Sequence, residues 1–470
     1  MNIHIKSIVS ALAFSLLFYN KSFGLNLFLI SILVVVLVSA LSRARAVSWG
    51  YSSAYIGTSI FVFLNPSAFT IFVHLMAFMV FVGKSISQKS SIYLSWFLGI
   101  VNMLVASIAN FVQKQEREQG VAKKERKASS PKLRNRFKGA FAAIALLFIF
   151  GMLYRNANPI FGSLIAQIHL DFISIPWLFF TLLGYVIFLH LLRPFDAEEL
   201  VAFDLAQKNE LEKPTELVLI GEKKTLEGEH TLGSMVFLAL NLLLLFFLIT
   251  DVVYLLEKTT ISNAEYSQSV HQGVYALLFS IVCAIALILY FFRGNLNFFQ
   301  GNKRIKSLTY LWIGLNVLLV AFTCYKNYTY VEALGLTYKR IGVFVYLLLT
   351  LTGLVTAYIK VAQVKNFIYL VRTNIATAFV FLIVSAAIPW DKMITWYNLK
   401  HIAQPDISYL IRLGKGNSEQ LYHYAEANKI RLTDLEKRNI SDTYTAFLEE
   451  QAKKTWQEYS LYQFTKNESE

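Results

Sequence analysis

The chain has 470 residues, of which 56% are hydrophobic and only 16% are charged. A soluble protein of this length carries a larger share of charged residues. The net charge of +14 would suggest a nucleic-acid partner for a soluble protein. Here the basic residues lie in short breaks between apolar stretches, where they orient membrane helices and contact anionic lipid headgroups. The composition therefore indicates a membrane protein surrounded by lipids, and it argues against nucleic-acid binding.

Continuous apolar stretches, each about long enough to cross a bilayer, recur as far as residue 388. Roughly 20 apolar residues cross about 30 Å of hydrocarbon as a helix, and only helices and closed barrels satisfy their backbone there. Because the stretches do not alternate between apolar and polar residues, a barrel is excluded. The sequence predicts an all-α, polytopic helical membrane protein. The predicted spans, about twelve in number, are 5–19, 24–41, 51–64, 67–82, 91–112, 139–154, 174–192, 234–255, 273–292, 307–324, 341–359 and 373–388.

The break at 113–138 carries the strongest orientation signal, with ten Lys/Arg against three Glu. By the positive-inside rule this basic loop is cytoplasmic. Counting spans forward from it places the segment 193–233 inside the cytoplasm and the tail from residue 390 outside. Counting backward breaks the rule, so the orientation of the first five segments stays open. The basic residues that would then lie outside are Arg43, Arg45, Lys84 and Lys89.

These signals divide the chain into four parts. N-terminal transmembrane segments occupy 1–112, the basic loop 113–138, a C-terminal bundle 139–389 and an extracytoplasmic helical tail 390–470. Within the bundle, the acidic loop 193–233 has ten Asp/Glu against five Lys/Arg. It predicts a short helix at 197–207 and a strand-like Leu217-Val-Leu-Ile220. Since it is too small for its own core, we expect a cytoplasmic cover or docking loop.

The tail sequence predicts a small helical domain. A helix follows Asn417 as far as residue 428, and Thr433 with Glu436 matches a capping box. Ser441 is predicted to begin a last amphipathic helix whose apolar face includes Trp456. Such a face must be buried, so we expect the tail to dock through Trp456.

Several local patterns resemble one family. They are Ala157-Asn-Pro-Ile-Phe161 after an apolar span, the stretch AEYSQSVHQGVYALL at 264–278, LWIGLNVLLVAFTCYKNYTYVEALGLTYKR at 311–340, and WYNLKHIAQPDISYLIRL at 396–413. Together they cover roughly 139–413. The family that they resemble comprises bacterial multi-pass proteins catalogued as a domain of unknown function, forty-one seventy-three. The resemblance implies a location in the bacterial envelope and supplies no activity. We expect a multi-pass protein of the bacterial inner membrane.

No catalytic signature is present in the sequence. A P-loop, HExxH, CxxC and GxSxG are all absent. No two of the eight His are three or four residues apart, so a metal site would need ligands from distant segments. We therefore predict no catalytic residues, no metal and no cofactor.

Polar residues at the outer ends of the C-terminal spans form the candidate site. An acidic side chain at the edge of a span, such as Asp251, costs free energy unless it is paired with a cation or hydrated by water. Arg340 is a candidate partner for Asp251 or Asp391. One interpretation is a staple of helix ends within the interfacial aromatic belt; the other is a ligand site facing the outer leaflet. Asn241 and Asn316 lie deeper and suit hydrogen bonds between helices or the lining of a path. The predicted cluster is Asp251, His271, Asn316, Arg340 and Asp391.

The leading functional interpretation is a non-catalytic protein of the bacterial envelope that acts as a scaffold, sensor or assembly partner, with an envelope protein bound to its tail. The alternative is a transporter or lipid-handling protein with a polar site at the outer ends of the C-terminal helices. A membrane enzyme acting on a lipid-linked substrate comes third. The two halves show no internal duplication, which many transporters have.

Overall fold

The computed structural model describes residues 3–40, 47–120, 174–256, 279–427 and 432–466, together with residues 150, 154 and 158. Within these ranges the secondary structure is helical apart from one isolated β-bridge between Glu210 and Lys365. The all-α polytopic fold is confirmed. The described helices are α1 Ile3–Phe18, α2 Leu25–Ser39, α3 Trp49–Leu64, α4 Ala68–Ile86, α5 Ile92–Gly120, α6 Ile175–Leu192, α7 Glu198–Ala206, α8 Glu216–Gly221, α9 Lys223–Leu256, α10 Phe279–Phe291, α11 Lys303–Leu334, α12 Tyr338–Ala362, α13 Phe367–Ala386, α14 Trp390–His401, α15 Ile407–Arg412, α16 Ser418–Ala427, α17 Asp434–Lys453 and α18 Leu461–Lys466.

Seven of the described helices are long and apolar enough to cross a membrane, namely α4, α5, α6, α9, α11, α12 and α13. Helices α1, α2 and α10 are apolar but shorter. Every predicted span except 139–154 coincides with a described helix, and 139–154 lies almost wholly outside the described residues. Most of the basic loop lies outside them too.

The described chain forms two compact units. The first comprises Met1–Ser22 and Ile100–Asp196, and the second comprises Phe23–Gly99 and Ala197–Glu470. The boundary between them falls inside α5.

In the first unit, α1 and α6 pack closely because the residues between them are small. Ser7, Ser10 and Ala11 are buried on α1, and a Cβ at Gly184 of α6 would lie 2.8 Å from the ring of Phe14. Small residues let membrane helices approach closely. A hydrogen bond of 2.9 Å from Thr181 to the hydroxyl of Ser15 ties the same faces together.

In the second unit, the contact between α4 and α5 depends on two glycines. A Cβ added at Gly83 would lie 1.8 Å from the carbonyl oxygen of Ser95, and one at Gly99 would lie 2.0 Å from that of Met79. Both obstacles are backbone atoms, which cannot swing away. These helices are therefore as close as their backbones allow.

Also within the second unit, helices α9 to α12 surround an apolar core. Phe237, Ile288, Ile305, Leu354 and Ala357 are fully buried there. Such interiors are close-packed, so each of these side chains fixes the spacing of its neighbours.

The acidic loop differs from expectation at one place. The predicted helix at 197–207 is confirmed as α7, but the strand-like stretch Leu217–Ile220 is helical and belongs to α8. Thr215 precedes this helix and Glu216 lies in its first turn, where acidic residues favour helix formation. A short apolar run does not distinguish a strand from a helix by periodicity.

The tail has a core of its own, continuous with the adjoining ends of α11 and α12. Ile394, Leu410, Leu421 and Ile440 from the tail pack with Leu336 of the α11–α12 turn, and all of them are buried. The helix after Asn417 is confirmed as α16. The tail is thus anchored by buried apolar contacts.

The last amphipathic helix begins earlier and ends earlier than predicted. It starts at Asp434, directly after the predicted capping box of Thr433 and Glu436, which is confirmed, and it ends at Lys453. The expected start at Ser441 is wrong because the capping box begins the helix seven residues before it. Trp456 therefore lies beyond the helix in a 3₁₀ turn, with 48% of its surface exposed.

The segment after α17 reaches the start of α2 through backbone contacts, and Trp456 in this segment is about half exposed. The amide of Leu25 donates a 2.8 Å hydrogen bond to the carbonyl of Tyr459. A Cβ at Gly24 would lie 2.4 Å from the carbonyl oxygen of Glu458. Glycine at this position therefore allows the end of the tail to reach the start of α2.

The glycine contact between α4 and α5 predicts an unusual cost for a small substitution. Alanine normally stabilises a helix interior relative to glycine by up to about 1 kcal/mol. Gly83→Ala must instead separate two backbones, so we expect a loss of roughly 1–3 kcal/mol or more. Thermal unfolding of the purified protein in detergent measures it. Gly342→Ala in α12 is the matched control, since a Cβ there meets nothing within 4 Å. Equal melting temperatures for the two variants would contradict the packing described.

Candidate functional site

The turn between α11 and α12, together with the tail helices α14 and α15 that pack on it, forms what we call the tail junction. Gly335 at this turn has φ +84°, and a Cβ there would lie 2.5 Å from Oδ1 of Asn398. The buried side chain of Asn398 accepts a 2.5 Å hydrogen bond from the amide of Leu336 and donates one of 2.9 Å to its carbonyl. One α14 side chain thus holds the turn on both sides.

Arg340, a predicted site residue, lies in the first turn of α12 and points back to α11. Its Nη1 donates to the carbonyl of Leu334 at 2.9 Å and to that of Gly335. Its guanidinium lies 4.1 Å from the ring centroid of Tyr330. A cation at the carbonyl end of a helix satisfies unpaired oxygens and complements the helix dipole. Arg340 is therefore a cap of α11 that stays partly exposed.

Asp391, a second predicted residue, belongs to the same junction. The hydroxyl of Tyr338 donates a 2.6 Å hydrogen bond to it, and the amide of Tyr338 donates one of 3.1 Å to the hydroxyl of Tyr409. Burial raises the pKa of Asp391, and the hydrogen bond from Tyr338 only partly offsets this effect. The structure therefore brings Arg340 and Asp391 together at the start of α12.

A cavity of about 480 Å³ opens at the tail junction. It lies between the first turn of α12 and the end of α15. Three of the residues around it are basic, and two are tyrosines. The lining residues are Thr337, Tyr338, Lys339, Arg340, Tyr409, Arg412 and Leu413.

Asp251 forms an ion pair with Lys326 of α11, and not the predicted alternative pair with Arg340. The pair joins α9 to α11, and the two side chains are only 9% and 17% exposed. Helices α9 and α11 pack against each other, whereas the Arg340 guanidinium is directed to the last carbonyls of α11. Lys326 adjoins Asn327, which donates a 3.0 Å hydrogen bond to the carbonyl of Arg340. The Asp251–Lys326 ion pair is therefore adjacent in α11 to a residue that contacts the tail junction. The pair itself is not part of the junction.

The remaining predicted residues are not part of the junction. Asn316 is fully buried, and its Nδ2 donates a 2.8 Å hydrogen bond to the carbonyl of Trp312 in its own helix. Asn241 bonds between helices, to the carbonyl of Leu308 at 2.9 Å. His271 lies outside the described residues.

A second polar cluster, which sequence reasoning missed, joins the acidic loop to the helices of the second unit. Asp204 of α7 is 4% exposed. It accepts 2.7 Å hydrogen bonds from the amide of Ser91 and the hydroxyl of Tyr93, and it pairs with Arg372 of α13 at 3.2 Å. Burial would raise the pKa of Asp204, but these hydrogen bonds outweigh it and hold the pKa below its usual value. The acidic loop therefore docks through a carboxylate at the N-terminus of α5.

Two buried lysines are further polar residues, which the sequence offers only as orientation signals. Nζ of Lys84 donates to the carbonyls of Gln88 and Ser90. Nζ of Lys360 donates to the carbonyl of Phe292 at 2.7 Å. Each is a single basic residue near the end of an apolar helix, a pattern that also serves as an orientation signal. The signal in the sequence was thus present but ambiguous.

Within the described residues, no group of three or more His, Cys, Asp or Glu side chains is placed to hold a metal ion. The two cysteines, Cys283 and Cys324, are free and exposed.

A protein-family model matches most of the chain. The family model described as Domain of unknown function (DUF4153) matches residues 7–424. The resemblance stated from the sequence was right in kind, an uncharacterised domain family, but wrong in number. The match also extends well beyond 139–413 and includes the N-terminal helices and the whole tail junction. Neither a curated protein nor a solved structure matches the chain.

The raised pKa of Asp391 predicts a pH-dependent contribution to stability. A carboxyl with a raised pKa in the folded state contributes stability that is full below the ordinary pKa of about 4 and is lost as pH rises through the folded-state pKa. Asp391→Asn keeps the neutral form and the acceptor for Tyr338. Its melting temperature relative to the wild type should therefore increase between about pH 4 and pH 7.

Two further variants make this measurement specific. Asp442→Asn, at a side chain that is 71% exposed, is the matched control. Asp204→Asn should behave oppositely, because a lowered pKa contributes stability that is present at neutral pH and lost as pH falls. A difference between Asp391→Asn and wild type that stays flat or decreases with rising pH would refute the assignment.

Proposed function

The chain belongs to the family described as Domain of unknown function (DUF4153), and from its structure we propose a non-catalytic role in the bacterial inner membrane, as a scaffold or assembly partner of envelope proteins. The family description assigns no activity, so the proposal depends on this chain's own residues. Its chief support is the way in which the tail is attached.

The attachment of the tail would keep a protein-binding surface on the tail rigid. The tail core is continuous with the ends of α11 and α12, and Asn398 clamps the turn between these two helices. A binding surface that is rigid before contact loses less conformational entropy on binding. The tail is built as a fixed platform at one end of apolar helices.

The tail also presents apolar side chains that its own core leaves exposed. Leu435 is 69% exposed on α17, and Trp396 is 50% exposed on α14. Exposed apolar groups on a folded platform are typical of protein or membrane contacts when they cluster. In the scaffold role, α17 contacts the partner.

A lipid-handling role is the second candidate, and the cavity at the tail junction favours it. Its basic lining suits an anionic headgroup. The polar groups inside the α9–α12 bundle favour packing over transport, because Asp251 and Asn241 are engaged by α11.

The role requires the tail to lie outside the cytoplasm, which the basic loop 113–138 supports through the positive-inside rule. In a background without Cys283 and Cys324, Ser441→Cys places a thiol at an exposed position of α17. A membrane-impermeant maleimide on spheroplasts should label this variant and leave Ser129→Cys, in the basic loop, unlabelled until lysis. Labelling of Ser129→Cys alone would invert the orientation and refute this part of the proposal.

Site-specific photo-crosslinking in cells tests the scaffold role. A photoreactive amino acid at Leu435 should give a discrete protein adduct of higher mass. The same amino acid at Ser441, which is exposed on another face of α17, is the matched control and should give little adduct. Lipid adducts alone, or equal adducts from both positions, would contradict a partner surface at Leu435.

A further inference from the structure

The cavity at the tail junction has an unusual charge composition. Lys339, Arg340 and Arg412 all line it. Among the described residues, neither Lys339 nor Arg412 forms an ion pair, and Arg340 bonds to backbone carbonyls, which carry no formal charge. Three cations around one cavity repel one another unless an anion lies between them.

None of the described residues that line the cavity is acidic. The carboxylate of Asp391 lies nearby and is engaged by the hydroxyl of Tyr338 at 2.6 Å. The lining itself therefore keeps an excess of positive charge. The hydroxyl of Tyr409 faces the same space and accepts from the amide of Tyr338 at 3.1 Å.

The recognition must come from side chains and not from the helix terminus. Two amides of the first turn of α12 are already used, since Arg340 N–H donates to Oγ1 of Thr337 at 3.3 Å and Tyr338 N–H donates to Tyr409. The side chains of Lys339 and Arg412 are exposed, and they reach the cavity from α12 and α15. Lysine supplies a compact charge and arginine a planar fork, a combination suited to phosphate oxygens.

The position of the cavity identifies the source of anions nearest to it. It lies at the first turn of α12, a helix long and apolar enough to cross a membrane. Basic residues and tyrosines at such a helix end lie at the level of the lipid headgroups. Anionic groups at that level are the phosphates of lipids.

We propose that the cavity lined by Lys339, Arg340 and Arg412 binds a phosphate group, carried by the headgroup of an anionic lipid at the membrane boundary. A free phosphate ester shares this chemistry, and the experiment below separates the two sources. The inference is independent of the scaffold role, and it names the ligand class for the lipid-handling candidate.

The test uses the full chain purified in a neutral detergent. Short-chain phosphatidylglycerol, phosphatidylcholine and inorganic phosphate are titrated separately, and binding is followed by native mass spectrometry and by thermal shift. Phosphatidylglycerol should bind most tightly, and its affinity should fall as salt rises. Equal competition by inorganic phosphate would assign the site to a free phosphate ester. Equal binding of a short-chain carboxylate amphiphile would overturn phosphate recognition.

Two double variants locate the site. Lys339→Ala with Arg412→Ala removes two exposed cations and leaves the Arg340 cap of α11 intact, and it should weaken binding about tenfold or more. Arg438→Ala with Lys453→Ala removes the same charge from exposed positions of α17 and should change affinity less than about twofold. Equal losses in both variants, or no loss in the first, would overturn the proposal.

A charge-reversal variant distinguishes a loss of binding from a loss of folding stability. Lys339→Glu should weaken binding more than Lys339→Ala at an unchanged melting temperature. The Leu435 photo-adduct in cells should persist in the Lys339→Ala, Arg412→Ala variant, so failure of the phosphate site and failure of the scaffold role are distinguishable. Weakened binding that tracks only a lowered melting temperature would count against the site.

Discussion

The clamp of Asn398 on the α11–α12 turn is the interaction on which the tail junction depends. It satisfies both the amide and the carbonyl of Leu336, and a Cβ at Gly335 would lie only 2.5 Å from Oδ1 of Asn398. Because the turn is held, α12 starts at a fixed place. That start positions Arg340 against the end of α11 and defines one wall of the cavity.

Several charged side chains in the second unit form hydrogen bonds to the ends of helices and to turns. Arg340 and Lys360 each donate to carbonyls at the end of a neighbouring helix, and Lys84 donates to the carbonyls of the α4–α5 loop. Asp204 accepts from an amide at the start of α5. Burying a charge without such partners would destabilise the folded state by roughly several kcal/mol. These contacts therefore hold helix ends in fixed relative positions within this unit.

The two ends of the second unit use this chemistry for different results. Near the end of α12, Arg372 and Asp204 attach the acidic loop to α13 and α5, and the carboxylate of Asp204 is engaged by Ser91, Tyr93 and Arg372. At the start of α12, Lys339 and Arg412 stay exposed beside an open cavity. The first arrangement is a staple. In the second arrangement, two cationic side chains have no ion-pair partner among the described residues.

The sequence by itself determined the fold class and most helix positions, because about 20 apolar residues in a row allow only a helix in a membrane, and Thr433 with Glu436 sets the start of α17 through local hydrogen bonds. Which charges meet was decided by tertiary structure alone. Asp251 pairs with Lys326 because α9 packs along α11, and helix packing is a property of two surfaces that no single stretch of sequence contains. Asp204 likewise gained its role only when α7 met α5 and α13.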